Sequence, residues 1–477
     1  MSPAQNPAQA DSPGRTTARE YAEALLARCG APARIRGGRP GPGAELGAER
    51  EWARSGAMAL TGHADGPPLL APGPLALCAR GAAGALASLA PESLELAGLD
   101  GPALLAERAC VAGLARRGSL APGGSCRMLA TRTGWLTLNL PRPEDRTLLP
   151  AWLEADAQPG EDAWAFVARL GSRREARALA DRGRMMGLAL AALDEGREPA
   201  GAWCRVEAEG RRQAPPSPDA KPRVLDLSSL WAGPLCAQLL AAAGARVIKC
   251  ESSQRPDGAR QGPAAFFDLL NAGKQSVALD LHRHAGVRQL ARLIAQADIV
   301  VESARPRALA QMGIDARACV RARPGQVWLS ITGHGRRGER GHWVGFGDDA
   351  AVAGGAVIQA GPLPVFCGDA LADPLSGLHA AVAALAHWRA GHGALLDVSL
   401  RAVVGHALAT DGPDETARVE ARGAGKRREW KLITRAGDEP VAAPRARTAR
   451  ARAPALGADT AWVLAQAGDS VEAGAPR

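Results

Sequence analysis

Tyrosine occurs once in the 477 residues, at Tyr21, and phenylalanine five times. Lysine is as scarce: Lys221, Lys249, Lys274, Lys426 and Lys431 are the whole set, so the net charge of +9 rests almost entirely on arginine. Those arginines are scattered through an Ala/Gly/Pro-rich chain and are not interleaved with stacking aromatics. No nucleic-acid partner is therefore expected, and a modest basic pocket for a phosphorylated small molecule suits the charge better. The nine cysteines form no CxxC pair and no paired Cys/His ligand spacing. Neither a metal site nor a disulfide framework is indicated. No apolar run reaches the roughly 18–20 residues of a membrane helix, and no charged–apolar–small signal segment opens the chain. A soluble protein in a reducing, cytoplasmic setting, without a membrane partner, is the expectation.

What is present falls into two halves. Residues 1–50 read as a disordered start followed by a helix over Arg19–Cys29 and a Gly/Pro linker at Gly37–Gly43. Residues 51–118 are mostly helical in pattern. Residues 119–212 form a smaller mixed α/β unit, with short strands at Met128–Ala130 and Trp135–Leu140 and helical spacing through the stretch ending near Leu193. A polar linker, residues 213–221, closes this half. From Pro222 the pattern alternates between strand and helix. RVLDL, ARVIKCE, SVALDL, DIVVES, VWLSIT and ALLDVSL read as strands, separated by helical stretches such as PLCAQLLAAA and AGVRQLARLIAQA. This grammar predicts an α/β fold with a parallel, Rossmann-like sheet covered by helices on both faces over 222–410. A ligand would then sit outside the carboxyl ends of the strands. Residues 411–477 read as mostly irregular, with a closing helix over 456–468 capped by Asp459.

The stretch FCGDALADPLSGLH (Phe366–His379) sets one carboxylate, Asp373, at the start of a helix of small residues. Two readings stand side by side. Asp followed by Pro is a helix cap; a carboxylate held at a helix N-terminus is also a nucleophile able to form a covalent acyl intermediate. An internal echo bears on the choice. Trp52–Leu89 resembles Ala351–Trp388, and in that register Leu77 stands opposite Asp373, so one copy carries the carboxylate and the other does not. The alternative is two Ala/Gly-rich helices in a biased composition.

Residues 224–400 resemble the family III CoA-transferases, the group of formyl-CoA and carnitine CoA-transferases. The likeness is carried by VLDLSSLWAGPLCAQLLAAAGARVIKCE, LLNAGKQSVALDL, DIVVESARPRALAQMGI, VWLSITGHG and LADPLSG, in that order. GWLTLNLPRPED is similar to the family's small domain and LGADTAWVLAQAG to its closing helix, which suggests two fused copies, the first lacking its own sheet. The resemblance implies that Asp373 is the nucleophile and Leu77 marks a silent copy. It further implies coenzyme A thioester as substrate with no tightly bound cofactor, a carboxylic acid as acceptor, and either a homodimer or a pseudo-dimeric monomer. It places coenzyme A contacts on Trp231, Ala232, Ser252, Leu279, His282, Ser303, Ala304 and Arg305. Several positions depart from the family: Trp231 stands where a polar residue is usual, and Ser252 and Gln311 where arginine is. Arg305, Arg307 and Arg255 are the candidate replacements, or else ordinary solvated residues. A racemase branch pairs the aspartate with a histidine, but that position is Phe346 here, and proton exchange at Cα needs two acid/base groups. A binding protein without turnover is the other alternative. GHGRRG (Gly333–Gly338) matches a dinucleotide fingerprint by letter only, since no apolar helix follows. A surface loop near the site is expected there, with His334 as a lone loop histidine. Gly123–Gly124 is a candidate loop over the aspartate.

Overall fold

The computed structural model describes residues 16–31, 46–195, 203–304, 306–411, 416–423 and 429–472. The first fifteen residues, the Gly37–Gly43 linker and Arg305 lie outside these. In the first half, β1 (Cys126–Thr131), β2 (Gly134–Asn139) and β3 (Ala189–Ala192) form a small antiparallel sheet. β3 corrects the helical reading of this stretch. The helix ends at Met185, and Gly187, at φ +83°, turns the chain so that the apolar LALAA can pair with β2.

β4 (Cys204–Glu209) then leaves this unit and joins the main sheet. That sheet also holds β5 (Arg223–Asp226), β6 (Arg246–Ser252), β7 (Gln275–Leu279), β8 (Ile299–Glu302) and β9 (Val327–Thr332). A hairpin of β10 (Val357–Ala360) and β11 (Leu363–Phe366) precedes its last strand, β12 (Ala394–Ser399). The order is β4-β12-β9-β8-β5-β6-β7, with every pairing parallel except that of β4 on the edge. The Rossmann-like α/β reading therefore holds, and β4 is the addition: its residues, half of them exposed, suit an edge. β12, by contrast, is buried throughout, as a strand with both faces covered must be.

The helix Ala372–Arg389 is the centre of the core, with every residue from Pro374 to Trp388 buried. A helix apolar on all sides must be surrounded. Helix Ala232–Ala242 lies against one side and helix Leu75–Leu89 against another. Small residues permit the approach: a Cβ on Gly377 would stand 2.8 Å from the Ala232 carbonyl oxygen. The two echoing stretches thus end in helices packed on each other, with Leu77 buried. Helix Ala18–Arg28 docks on the same pair through Tyr21, whose hydroxyl donates to His379 Nε2 at 2.8 Å. His379 Nδ1 lies 2.7 Å from the Leu375 carbonyl, and burial pushes the imidazole down to about 4, so Nε2 is free to accept. Tyr21→Phe should lower unfolding free energy by about 1 kcal/mol in urea titration, the size of a lost buried hydrogen bond.

The segment after residue 415 is more ordered than its composition suggests. β13 (Arg418–Arg422), β14 (Glu429–Ile433) and β15 (Glu439–Pro440) form an antiparallel sheet. The arginine-rich strap beyond is held by carboxylates of the first half, Arg447 on Glu107 at 2.8 Å and Arg450 on Glu95 at 2.7 Å. The closing helix, Thr460–Glu472, is tied to β7 by Asp459, whose carboxylate accepts from the Ser276 N–H at 2.7 Å. No helix among the described residues is long and apolar enough to cross a membrane.

Candidate active site

The site starts from a buried ionic frame under the loop after β5. Two of the five lysines are buried there: Lys274 contacts Asp226 at 2.8 Å and Lys249 contacts Asp257 at 2.9 Å. Burial alone would raise the Asp226 carboxyl, but the two lysines hold it below its usual value. Both aspartates also shape the loop. Asp226 accepts from the Ser228 N–H at 3.0 Å, and Asp257 from the Leu230 N–H at 2.9 Å. Leu230 is thereby held at φ +71°, a left-handed conformation that a leucine adopts only when its surroundings impose it. The next residue is Trp231, at the start of helix Ala232–Ala242, packed edge-on against Phe266 at 5.2 Å.

Helix Ala372–Arg389 brings the carboxylate to the same place. Leu371, not Asp373, is its N-cap, and Asp373 sits in the first turn. No hydrogen bond among the described residues reaches the Asp373 carboxylate. The expected cap bond is therefore missing. Ala370, at φ +42°, makes the turn before it and accepts the Asp373 N–H at 2.9 Å. Opposite lies Gly347: a Cβ there would stand 2.3 Å from Asp373 Oδ2 and 2.6 Å from the Ala370 carbonyl oxygen. Gly347→Ala should thus displace the carboxylate or the turn. Turnover is expected to fall at least tenfold, with the fold retained by circular dichroism, because misplacing a reacting group by about 1 Å costs on the order of 10²-fold.

Three more carboxylates surround Asp373. Asp348 accepts from the Ala370 N–H at 2.8 Å, while Asp349 accepts from the Phe346 N–H at 3.1 Å and the Asn139 side-chain amide at 2.9 Å. Asp369 receives Arg108 in a two-bond fork at 2.8 and 2.7 Å. Burial pushes Asp348 up to about 6 and Asp349 up to about 7. Asp373 is pushed up to about 7, by burial first and then by its three carboxylate neighbours, while Arg108 pulls it down. Arg108 also lies over the Trp231 ring, 5.3 Å from its centroid, so it joins the β5 loop to the aspartate. Gly123 covers the fork, its Cβ position 3.0 Å from Arg108 Nη2 and 3.6 Å from Asp369 Oδ1. The glycine loop named from sequence thus lies over this cluster. Arg108 was not legible there, because nothing in ERACVAG separates it from the other arginines.

The remaining candidates divide by burial. Trp231, Ala232 and Leu279 are buried. Ser252, Ser303 and Ala304 are half-buried and His282 is exposed, at the carboxyl ends of β6, β8 and β7. Ser303 Oγ accepts from the Ser229 N–H at 3.1 Å and Glu302 from the Ala304 N–H at 3.2 Å, which fixes the β8 loop beside the β5 loop. Arg307 and Arg255 are exposed. The GHGRRG loop is not merely surface: Arg336 reaches Glu302 and Ser330, both at 2.7 Å, pinning β8 to β9. His334 is buried rather than solvated, and burial pushes it down to about 3 with Arg184, Arg401 and Arg340 adding to the effect.

Fold and site define an α/β protein whose reactive candidate is a carboxylate beside the carboxyl edge of a parallel sheet. Residues 220–460 match the profile of CoA-transferase family III. A succinyl-CoA–D-citramalate CoA-transferase from Chloroflexus aurantiacus is 31% identical over 202 residues, covering 39% of this chain and 50% of that protein. A succinate–glutarate CoA-transferase from Agrobacterium fabrum is 32% identical over 217 residues, covering 40% and 54%. A solved CAIB/BAIF family protein from Brucella suis shares 30% identity over 39% of this chain and 54% of its own, with a TM-score of 0.37. The chain belongs to CoA-transferase family III. It spans about half the length of the curated relatives it matches.

Proposed function

We propose that the protein is a CoA-transferase moving coenzyme A from an acyl-CoA thioester to a carboxylic acid through Asp373. The observation that carries this reading is the placement of Asp373, in a turn that Gly347 leaves open, beside a guanidinium and the loop of Trp231. The Asp373 carboxylate oxygen attacks the thioester carbonyl; the C–S bond breaks, and CoA thiolate leaves a mixed anhydride. The thiolate then attacks the aspartyl carbonyl, releasing the donor acid and forming an aspartyl-CoA thioester. The acceptor carboxylate attacks that thioester, and the freed thiolate takes the acceptor's acyl group from the second anhydride, restoring Asp373.

Family resemblance supports coenzyme A along the carboxyl ends of β6, β7 and β8, touching Ser252, His282, Ser303 and Ala304, with Trp231, Ala232 and Leu279 shaping the wall from behind. No other cofactor is required by these steps. Relatives named for succinyl-CoA make short dicarboxylic acids the first substrates to test. Because Arg108 and Gly123 come from the first half of the same chain, the pseudo-dimeric monomer is the form we favour.

The test is to incubate the protein with succinyl-CoA, quench with hydroxylamine and search peptides for a hydroxamate at Asp373. An adduct in the wild type, absent from Asp373→Asn, is expected. No adduct with any acyl-CoA offered, or full turnover in the variant, overturns the reading.

A further inference from the structure

Arg108 comes from the short helix Glu107–Ala112, far outside residues 220–460, yet it ends among the carboxylates of Asp373's cluster. Its Nε and Nη2 are committed to Asp369, whereas no hydrogen bond or ion pair among the described residues engages Nη1. Two features shape its seat. Trp231 lies under the guanidinium at 5.3 Å, and Gly123 leaves the room it occupies, since a Cβ there would stand 3.0 Å from Nη2. Arginine suits such a place because its planar fork meets a carboxylate in two parallel bonds and stays charged when buried.

The groups facing Asp373 are few. The start of helix Gly347–Ala353 contributes Asp348 and Asp349, the latter bonded to Asn139 of β2. The turn before Asp373 contributes Asp369, and Arg108 is the cation acting on the carboxylate. Cys126 of β1 is buried near Asp348 and Asp349, and Arg142, stacked 5.7 Å from the Phe346 ring, is committed to Asp145 at 2.6 Å. Without Arg108, an attacking carboxylate would have to ionise beside three others in a partly buried site.

We propose that Arg108, supplied by the half of the chain outside the family match and anchored by Asp369, is the positioning residue whose charge favours the ionised Asp373 carboxylate needed for attack. The inference rests on the transferase reading, in which Asp373 must be deprotonated to react. It assigns the first half a part in the reaction beyond packing, and it explains why a charged side chain and a glycine loop from that half meet at this point.

The experiment pairs turnover with a titration that needs no turnover. Protein carrying 13C-carboxyl aspartate is titrated by NMR, the Asp373 resonance being assigned by its loss in Asp373→Asn. Arg108→Gln should raise the Asp373 midpoint by about one pH unit or more. The ionised fraction at pH 6, and with it kcat, would then fall about tenfold, while KM for succinyl-CoA changes less than about threefold. Arg108→Lys should restore part of this shift. Asp369→Asn, which keeps an acceptor for the fork but removes one negative charge, should move the midpoint the opposite way and serves if Arg108→Gln does not fold. An unchanged Asp373 midpoint in both the arginine and Asp369 variants, with only thermal stability reduced, overturns the proposal. Absence of a hydroxamate in the wild type fails the transferase reading, and the role of Arg108 in attack falls with it; a flat titration beside a normal adduct removes Arg108 alone.

Discussion

Asp373→Asn should lose transfer activity by on the order of 10⁴-fold or more, the scale of deleting a nucleophile, and at the same time become more heat-stable than the wild type at pH 8. The second half of this expectation follows from linkage. In the folded protein burial pushes the Asp373 carboxyl up to about 7, against about 3.9 for an unfolded aspartate. Between those values the native state binds more protons than the unfolded state, so stability falls as pH rises through that window. Above about pH 7 the wild type bears the whole cost of a partly buried charge set among three other carboxylates, and asparagine, nearly the same shape, bears none. The gap in melting temperature should therefore be widest at pH 8 and should narrow by pH 5. Thermal scans at the two values check it. A variant less stable than wild type at pH 8 would show that the ionised carboxylate is a structural anchor and not a strained reactive group.

Lys274→Met is expected to destabilise the fold by about 3–5 kcal/mol, because removing one partner of a buried pair strands the other. Asp226 is fully buried, and Lys274 also donates to the Pro234 carbonyl at 2.9 Å and to Asn271 Oδ1 at 3.0 Å, so three buried acceptors lose their donor together. A urea midpoint measured on both proteins reads the loss directly. The double variant Asp226→Leu/Lys274→Met should recover part of it, since an apolar pair avoids the stranded charge. Function should suffer in both variants. Asp226 holds the Ser228 N–H, and the loop it anchors carries Trp231, one of the coenzyme A candidates. A rise in KM for the thioester, measured on the folded fraction, is the expected signature.

Much of the second half was legible from its residues. Short apolar runs separated by helical stretches of a dozen residues can hardly pair otherwise than in parallel, and the strands β5 to β9 and β12 fall where those runs lie. The helix from Ala372 could be placed because its small apolar residues continue for five turns. The first half was less legible. LALAA reads equally as the end of a helix or as a strand, and only its pairing with β2 settles the matter. β4 carries too many exposed charges to look like part of the main sheet, and its place on the edge is decided by the partner β12.

The same division runs through the site. By itself the chain determined that an Asp-Pro pair opens an apolar helix, that glycines flank it, and that the blocks around it follow the order of one family. Those are local matters of backbone conformation and spacing, and they do not depend on distant partners. Only the tertiary structure decided that Asp373 is surrounded by Asp348, Asp349 and Asp369, that Gly347 leaves room for its oxygen, and that Arg108 arrives from more than 250 positions away. A carboxylate's reactivity is set by burial and by charges within a few ångströms, and such distances exist only once the two halves have packed together.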